Sequence, residues 1–168
     1  METSTLVPAL QLGDRGPDVI ALQSLLNDRF AGGSASNAIR PLALDGIYGL
    51  KTEAVVKVAQ FRYLLFQDGM AGPRTVRSLQ DDRALIGALP TLRRGDRGRD
   101  VIALQVILSP NSVGFADGVF GPHTELSVQS FQGTSRLPIN GVVGSHTWRQ
   151  LELRAFRLSP RGQTSPRG

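Results

Sequence analysis

The sequence predicts an all-α fold built as two tandem three-helix modules with irregular turns. The segment GDRGPDVIALQ at 13–23 recurs as GDRGRDVIALQ at 95–105, with ten of eleven positions identical, which indicates an internal repeat. The apolar residues that follow the start of each segment, such as Val19, Leu22 and Leu26, have helical spacing. A chain of 168 residues is long enough for two small modules.

The repeat sets the expected domain boundaries. DGIYGLKTE at 45–53 matches DGVFGPHTE at 117–125, and this alignment continues without a gap through the rest of each copy. Copy 1 is longer because it carries AGGSASNAIRP, whose composition is typical of a surface loop. The predicted organisation is an N-terminal arm (1–9), module 1 (10–80) with an inserted loop (31–41), a linker (81–91), module 2 (92–153) and a basic tail (154–168).

Each copy is expected to contain two longer helices and a short third one. Proline at the first helical position favours helix starts at Pro17, Pro73 and Pro122. The third helices are expected at about 75–79 and 147–151. The spacing predicts the following buried residues: Val19, Leu22, Leu26, Val55, Val101, Leu104, Leu108, Val128 and Phe131.

A shorter motif, [DN]-G-x-x-G-x-x-T, occurs twice in each copy and begins at Asp45, Asp68, Asp117 and Asn140. Asp-Gly and Asn-Gly form turns, so the first interpretation is that these residues serve the fold alone. The second glycine suits a helix N-cap. We expect replacement of Gly49 or Gly121 by valine to strain the turn or cap, at a cost of ~1–3 kcal/mol.

Most of the net charge of +5 lies in the tail. Residues 1–91 carry nine basic and nine acidic side chains, residues 92–153 carry six and five, and residues 154–168 carry four arginines and no acid. The nearly neutral body does not predict nucleic-acid binding. The tail is expected to be disordered or to be ordered by a protein partner. The sequence contains no apolar run near the ~20 residues of a membrane span.

The order of these motifs resembles the peptidoglycan-binding-domain-like family. L-x-x-GDRG-x-DVIALQ is followed by DG-x-(F/Y)-G-x-x-T-E and then by a second turn motif, and this order occurs twice. The resemblance implies a small three-helix module that binds cell-wall peptidoglycan through its stem peptide without catalysis. Family members usually accompany cell-wall hydrolases and other envelope proteins.

Copy 2 carries the pattern more completely than copy 1. It has Phe131-Gln132, Leu137-Pro138 and Thr147-Trp148, whereas copy 1 has Ala59-Gln60, Leu65-Phe66 and Thr75-Val76 at the matching places. We therefore expect the better ligand site on module 2. The expected site residues are Asp117, Gly118, Phe120, Gly121, Thr124, Asn140, Gly141, Gly144, Thr147 and Trp148. A weaker site is expected at Asp45, Gly46, Tyr48, Gly49 and Thr52.

The two turns of module 2 are expected to line one shallow groove. Backbone amides at two helix starts would form its floor and suit a carboxylate. Phe120 and Trp148 would supply apolar walls, and His123 and His146 would supply polar rims. Aromatic residues in such turns are more often core anchors, which is the alternative role for Tyr48 and Phe120.

No enzyme is predicted. Cysteine is absent, and the motifs HExxH, GxSxG and SxxK do not occur. A glycosidase with two carboxylates stays open on composition, but its acids would come from turns that the repeat already explains. With only His123 and His146, a zinc site would need carboxylates, so neither a metal nor a cofactor is expected.

An adaptor subunit of a phage tail, an injection machine or an envelope complex is the alternative to peptidoglycan binding. The N-terminal residues METSTLVPAL lack a basic region and do not resemble a secretory signal. The compartment is therefore left open between the cell envelope and a virion or a machine assembled in the cytoplasm.

Overall fold

The computed structural model describes residues 9–31, 39–81, 89–109 and 116–159. Within this part the regular structure is helical, and the extended segments form only isolated β-bridges. The predicted all-α fold is confirmed. The helices are α1 (Pro17–Phe30), α2 (Leu50–Arg62), α3 (Pro73–Gln80), α4 (Arg99–Leu108), α5 (Pro122–Thr134) and α6 (Ser145–Leu158).

The helix starts follow local sequence rules. Gly16, Gly72 and Gly121 are N-cap residues, and a proline follows each of them at the beginning of α1, α3 and α5. The ring fixes φ near the helical value, and the missing N–H removes a donor that has no acceptor inside the helix. These starts were expected from the sequence.

The described residues form two compact units. Unit 1 contains 9–31, 39–60, 67–81 and Ser159, and unit 2 contains 61–66, 89–109 and 116–158. Segment 61–66 thus belongs to unit 2, although the repeat assigns it to module 1.

Packing explains why segment 61–66 belongs to unit 2. Leu64 is buried in the hydrophobic core of unit 2, and Phe61 packs against the same core. The guanidinium of Arg99 lies 5.2 Å from the ring centroid of Phe66.

Eight of the nine core predictions are correct. The exception is Leu108, which packs against the unit 2 core from outside while its neighbour Ile107 is buried in it. The residues that fill the core of unit 2 are Leu64, Leu92, Val101, Leu104, Ile107, Phe120, Val128, Phe131, Val143, Trp148, Leu151 and Ala155. The main buried apolar residues of unit 1 are Val19, Leu22, Leu26, Phe30, Tyr48, Val55, Val56, Ala59 and Leu79.

Short backbone pairings connect the segment before the first helix of each unit to its turns. Gly13 N–H donates to the Tyr48 carbonyl at 2.9 Å, and Gly95 N–H donates to the Phe120 carbonyl at 3.0 Å. Leu92 and Val143 exchange two hydrogen bonds, of 3.1 and 2.8 Å. The repeated sequence therefore produces the same pairing in both units.

Helix α6 extends into the predicted tail. It ends at Leu158, so the expected start of an irregular tail at residue 154 is wrong. Ala155 is fully buried in the unit 2 core, and the Arg62 guanidinium lies 4.7 Å from the ring centroid of Phe156. The expectations for the N-terminal arm, the inserted loop, the linker and the rest of the tail fall mostly outside the described residues, on 1–8, 32–38, 82–88 and 160–168.

Candidate functional site

Each of the four turn motifs is organised around a buried glutamine from the preceding helical segment. These glutamines are Gln23, Gln60, Gln105 and Gln132, and each is at most 8% exposed. The sequence shows a glutamine before each turn, but the separation from the turn varies between 8 and 22 residues. Because the separation is irregular, sequence reasoning did not assign them a role.

The network around Gln105 shows how the turn is held. Its Nε2 donates to Asp117 Oδ1 at 2.9 Å, to the Val119 carbonyl at 3.1 Å and to Thr124 Oγ1 at 3.0 Å. Its Oε1 accepts the Gly118 N–H at 2.9 Å. One amide side chain therefore satisfies polar groups across the whole motif, which is what buried polar groups require.

The last turn of unit 2 has the same arrangement with an asparagine in place of the aspartate. Gln132 Nε2 donates to Asn140 Oδ1 and to the Val142 carbonyl, both at 2.9 Å, and to Thr147 Oγ1 at 3.3 Å. Its Oε1 accepts the Gly141 N–H at 3.0 Å. The buried side chains of Gln132 and Thr147 thus have their hydrogen-bond partners within the turn.

The carboxylates of Asp45 and Asp117 are stabilised in their charged form. The Gln23 amide, followed by the Ile47 N–H, lowers the pKa of Asp45. The Val119 N–H, followed by the Gln105 amide, lowers the pKa of Asp117. Both carboxylates accept hydrogen bonds in the turn. Because such bonds favour the ionised form of a carboxylate, they lower its pKa.

The sequence predicted strain on substitution at the second glycine of the motif, but the structure places this strain at the first glycine. Gly118 has φ 73°, and a Cβ there would lie 3.0 Å from Ile102 Cγ1. Gly121 has φ −91°, and a Cβ would meet nothing within 4 Å. Gly49 is likewise open and outside the left-handed region. The conformational requirement therefore belongs to the first glycine of the motif.

The aromatic residues proposed as ligand walls are buried. Tyr48 is 0%, Phe120 1% and Trp148 1% exposed. The Trp148 indole N–H donates to the Pro90 carbonyl at 2.8 Å, which fixes the ring inside unit 2. Phe120 and Trp148 are therefore part of the hydrophobic core of unit 2, which is the alternative role considered for Phe120.

Tyr48 links the two turns of unit 1 from inside. Its hydroxyl donates to the Gly69 carbonyl at 2.7 Å, and burial raises the pKa of the Tyr48 phenol. The matching residue in unit 2 is Phe120, which has no hydroxyl. The aromatic position is thus part of the core in both units.

The two turns of unit 2 line two separate depressions rather than one groove. The first depression has a volume of about 630 Å³ and contains His123 and Thr124. The second has a volume of about 370 Å³ and contains Asn140, Gly144 and His146. Among the described residues, the two depressions share no lining residue.

The first depression lies between the end of α4, the outer face of α5 and one residue of α6. Its described lining residues are Gln105, Leu108, Ser109, His123, Thr124, Leu126, Ser127, Ser130, Phe131, Thr134 and Arg154. Asp117, Gly118 and Gly121 lie outside it. The sequence interpretation missed Arg154, which it had placed in the irregular tail.

The second depression lies at the start of α6. It contains Gln132, Leu137, Pro138, Asn140, Val142, Gly144, Ser145, His146 and Thr147. Gln132 and Thr147 are buried below its surface, whereas Pro138, Asn140 and His146 are exposed. Apolar and polar groups therefore meet at the second turn.

The described residues contain no group of three or more His, Asp or Glu side chains that could hold a metal ion. His123 and His146 lie in different depressions. None of the helices in the described part of the chain combines the length and apolarity needed to cross a bilayer.

Comparison with known proteins gives a family match over both repeats. The model of the family described as "Putative peptidoglycan binding domain" matches residues 15–79 and 97–151. The spore cortex-lytic enzyme of Bacillus cereus is 35% identical over 83 residues, which are 46% of this chain and 32% of that protein. The N-acetylmuramoyl-L-alanine amidase CwlM of Mycobacterium tuberculosis is 29% identical over 125 residues, which are 71% of this chain and 30% of that protein.

Among solved structures, the SleB N-terminal domain is 36% identical, with a TM-score of 0.38. The alignment covers 40% of this chain and 94% of that one. The chain spans between 30% and 58% of the length of the curated relatives that it matches.

Proposed function

Since the chain belongs to the peptidoglycan-binding domain family, we propose that it binds cell-wall peptidoglycan without catalysis, through the stem peptide. The observation that carries this proposal is the family match over both repeats, 15–79 and 97–151. Two binding units on one chain would increase the apparent affinity for a polymeric ligand even if each unit binds weakly.

We place the ligand on unit 2, at the surfaces beside its two turns. Asn140, Gly144 and His146 surround the second depression together with Leu137 and Pro138. Such a surface offers apolar contact and hydrogen-bonding groups to short side chains and amides, the components of a stem peptide. The remaining predicted site residues of unit 2 are buried in its turns and core: Gly118, Phe120, Thr124, Gly141, Thr147 and Trp148.

The polar motif residues of unit 1 have the same supporting role. Asp45, Gly46 and Thr52 build the turn around Gln23. At the position of His146, copy 1 of the repeat has Arg74. At the positions of Leu137 and Pro138 it has Leu65 and Phe66, which belong to unit 2. Because the surface chemistry differs, we propose that unit 1 is the weaker of the two sites.

The first experiment is cosedimentation of the full chain with purified sacculi, with insoluble chitin as the control for binding to glycan alone. Retention on sacculi and not on chitin supports recognition of the peptide. No retention on sacculi contradicts the proposed function.

The second experiment locates the ligand by NMR titration with a soluble muropeptide. We expect backbone shifts at Asn140–His146 in the wild type and a loss of these shifts in His146→Ala. Arg74→Ala is the matched control in unit 1 and is expected to leave them in place. Shifts confined to unit 1 would contradict this placement.

A second candidate function, that of an adaptor, is favoured by two exposed leucines on unit 1. Leu44 is 52% and Leu50 71% exposed, and the residues at the matching positions of unit 2 are Ala116 and Pro122. Exposed large apolar side chains are available for contact with a protein partner. Loss of a crosslinked envelope or virion partner in Leu44→Glu/Leu50→Glu, with binding to sacculi unchanged, would support this function.

A further inference from the structure

We infer that the first depression of unit 2 is a carboxylate subsite in which Arg154 anchors an acidic group of the stem peptide. This inference rests on the proposed function and adds a residue and a ligand chemistry to it. The depression is formed by the end of α4, the outer face of α5 and Arg154 of α6. Its volume of about 630 Å³ is in the range of sites for small ligands.

The side chain of Arg154 is positioned but incompletely bonded. One Nη donates to the Leu108 carbonyl at 3.4 Å, and the guanidinium carbon lies 5.9 Å from the Phe131 ring centroid. The Nε–H is buried and has no hydrogen-bond partner among the residues that the structure describes. A buried donor without an acceptor is unfavourable, so a carboxylate that draws the guanidinium toward the depression would recover this loss.

The described lining of the depression is cationic and contains no acidic side chain. Arg154 and His123 are its basic residues, and the other lining groups are hydroxyls, amides and apolar side chains. Because the described lining offers Arg154 no carboxylate, a carboxylate from a ligand would meet no competing acid there. An acidic ligand is therefore favoured over a neutral glycan.

The α5 side of the depression is suited to a peptide. His123, Ser127, Ser130 and Thr134 follow one another at helical spacing along this face. The Ser127 hydroxyl donates to the His123 carbonyl at 2.9 Å, which leaves its oxygen able to accept an N–H. Leu108, Leu126 and Phe131 supply apolar contacts for short side chains.

Unit 1 lacks these groups at the matching sequence positions. Ser127 and Ser130 correspond to Val55 and Val58, and Arg154 corresponds to Asp82 when the alignment is continued. The substitution of arginine by aspartate reverses the charge. The arginine and the two serines of the proposed subsite are therefore present in copy 2 of the repeat and replaced in copy 1.

The experiment measures the binding of a synthetic stem tetrapeptide to the full chain by isothermal titration calorimetry. The same peptide with all carboxyl groups amidated is the ligand control. We expect Arg154→Met to weaken binding of the acidic peptide by roughly 10- to 100-fold, the loss typical of a charged hydrogen bond. Arg157→Met, which removes an exposed charge from the same helix, is the control variant and is expected to change affinity by less than about twofold.

A second variant separates ligand binding from folding. Ser130→Val introduces the unit 1 residue at an exposed position and should weaken binding without lowering the melting temperature. Backbone shifts at Ser127–Thr134 on addition of the acidic peptide, absent with the amidated peptide, would support the subsite.

The outcomes distinguish the inference from the proposed function. If the wild type binds sacculi and folded Arg154→Met binds the acidic peptide equally well, the subsite is wrong and the proposed function stands. If the wild type fails to bind sacculi yet binds the acidic peptide through Arg154, the subsite stands and peptidoglycan is wrong. Equal binding of an unrelated acidic peptide would overturn stem-peptide recognition, and no binding of either ligand would overturn both proposals.

Discussion

The four turns place their two glycines in different backbone conformations. The first glycine has φ between 67° and 75° in all four copies. The second lies at the helix start, where Gly72 and Gly121 are extended N-cap residues. Only the first position needs the freedom of glycine, because other residues avoid positive φ.

Gly118→Ala and Gly121→Ala form a matched pair that tests this difference. We expect Gly118→Ala to destabilise unit 2 by about 1–3 kcal/mol, through backbone strain and contact of the new Cβ with Ile102. Gly121→Ala is expected to cost about 1 kcal/mol or less, as for a glycine N-cap. Urea unfolding measures both, and a larger loss for Gly121→Ala would contradict the assignment.

The acidic turn residues predict a pH dependence of stability. Because the pKa of Asp117 in the folded chain lies below its ordinary value of 3.8, its ionised form stabilises the fold above that value. This stability is lost as the pH falls through the folded pKa. We therefore expect the melting temperature to decrease below about pH 4.

Exchanging the turn residues between the two turns of unit 2 provides the test. Asp117→Asn should reduce the acid-induced decrease in melting temperature, because the amide does not titrate. Asn140→Asp should increase it, since a carboxylate would then occupy the same turn beside Gln132. Identical pH profiles for both variants and the wild type would show that other groups govern acid unfolding.

At the scale of elements, the ends of α2 and α5 have the same geometry and different surroundings. Leu64 and Arg136 both have left-handed backbones, with φ 59° and 56°. Leu64 is 2% exposed in the unit 2 core, whereas Arg136 is exposed. Both copies of the repeat therefore have the same backbone conformation after this helix, but only Leu64 of copy 1 packs its side chain into a core.

Leu64→Gly and Arg136→Gly separate backbone strain from packing. Glycine relieves a left-handed backbone, but at residue 64 it also removes a buried leucine. We expect Leu64→Gly to destabilise by about 2–4 kcal/mol and Arg136→Gly to be neutral or stabilising by up to about 1 kcal/mol. Equal effects in chemical denaturation would show that the Leu64 side chain contributes little to the core.

At the scale of the whole molecule, the C-terminal part of α6 belongs to the body of unit 2. Ending the chain after Leu153 removes Ala155 from the core and Phe156 from its contact with Arg62. If the chain were disordered from residue 154, as expected from its sequence, this truncation would leave the stability unchanged. The structure predicts the opposite because the helix continues for five residues beyond Leu153.

Two truncations test this conclusion. Ending the chain after Leu153 should lower the stability of unit 2 by about 2–4 kcal/mol through lost apolar burial. Ending it after Ser159 retains all of α6 and should keep the melting temperature near that of the full chain. If both truncated proteins melt like the wild type, the end of α6 does not support the core.

The sequence by itself determined the features that depend on local chemistry. Turn residues, helix-start prolines and helical spacing act over a few residues, so the repeat predicted the all-α fold and eight of the nine core positions. The family resemblance followed from the same motifs. The preference for unit 2 came from comparing the two copies position by position and stays a prediction.

Only the tertiary structure decided which side chains of each motif are buried. Whether Tyr48, Phe120 and Trp148 point inward depends on how distant segments pack, which no local pattern encodes. The same holds for Gln105 and its counterparts, whose partners lie at irregular separations along the chain. Arg154 entered the candidate site because α6 continues through it, and its position beside Leu108 and Phe131 brings together residues from three helices.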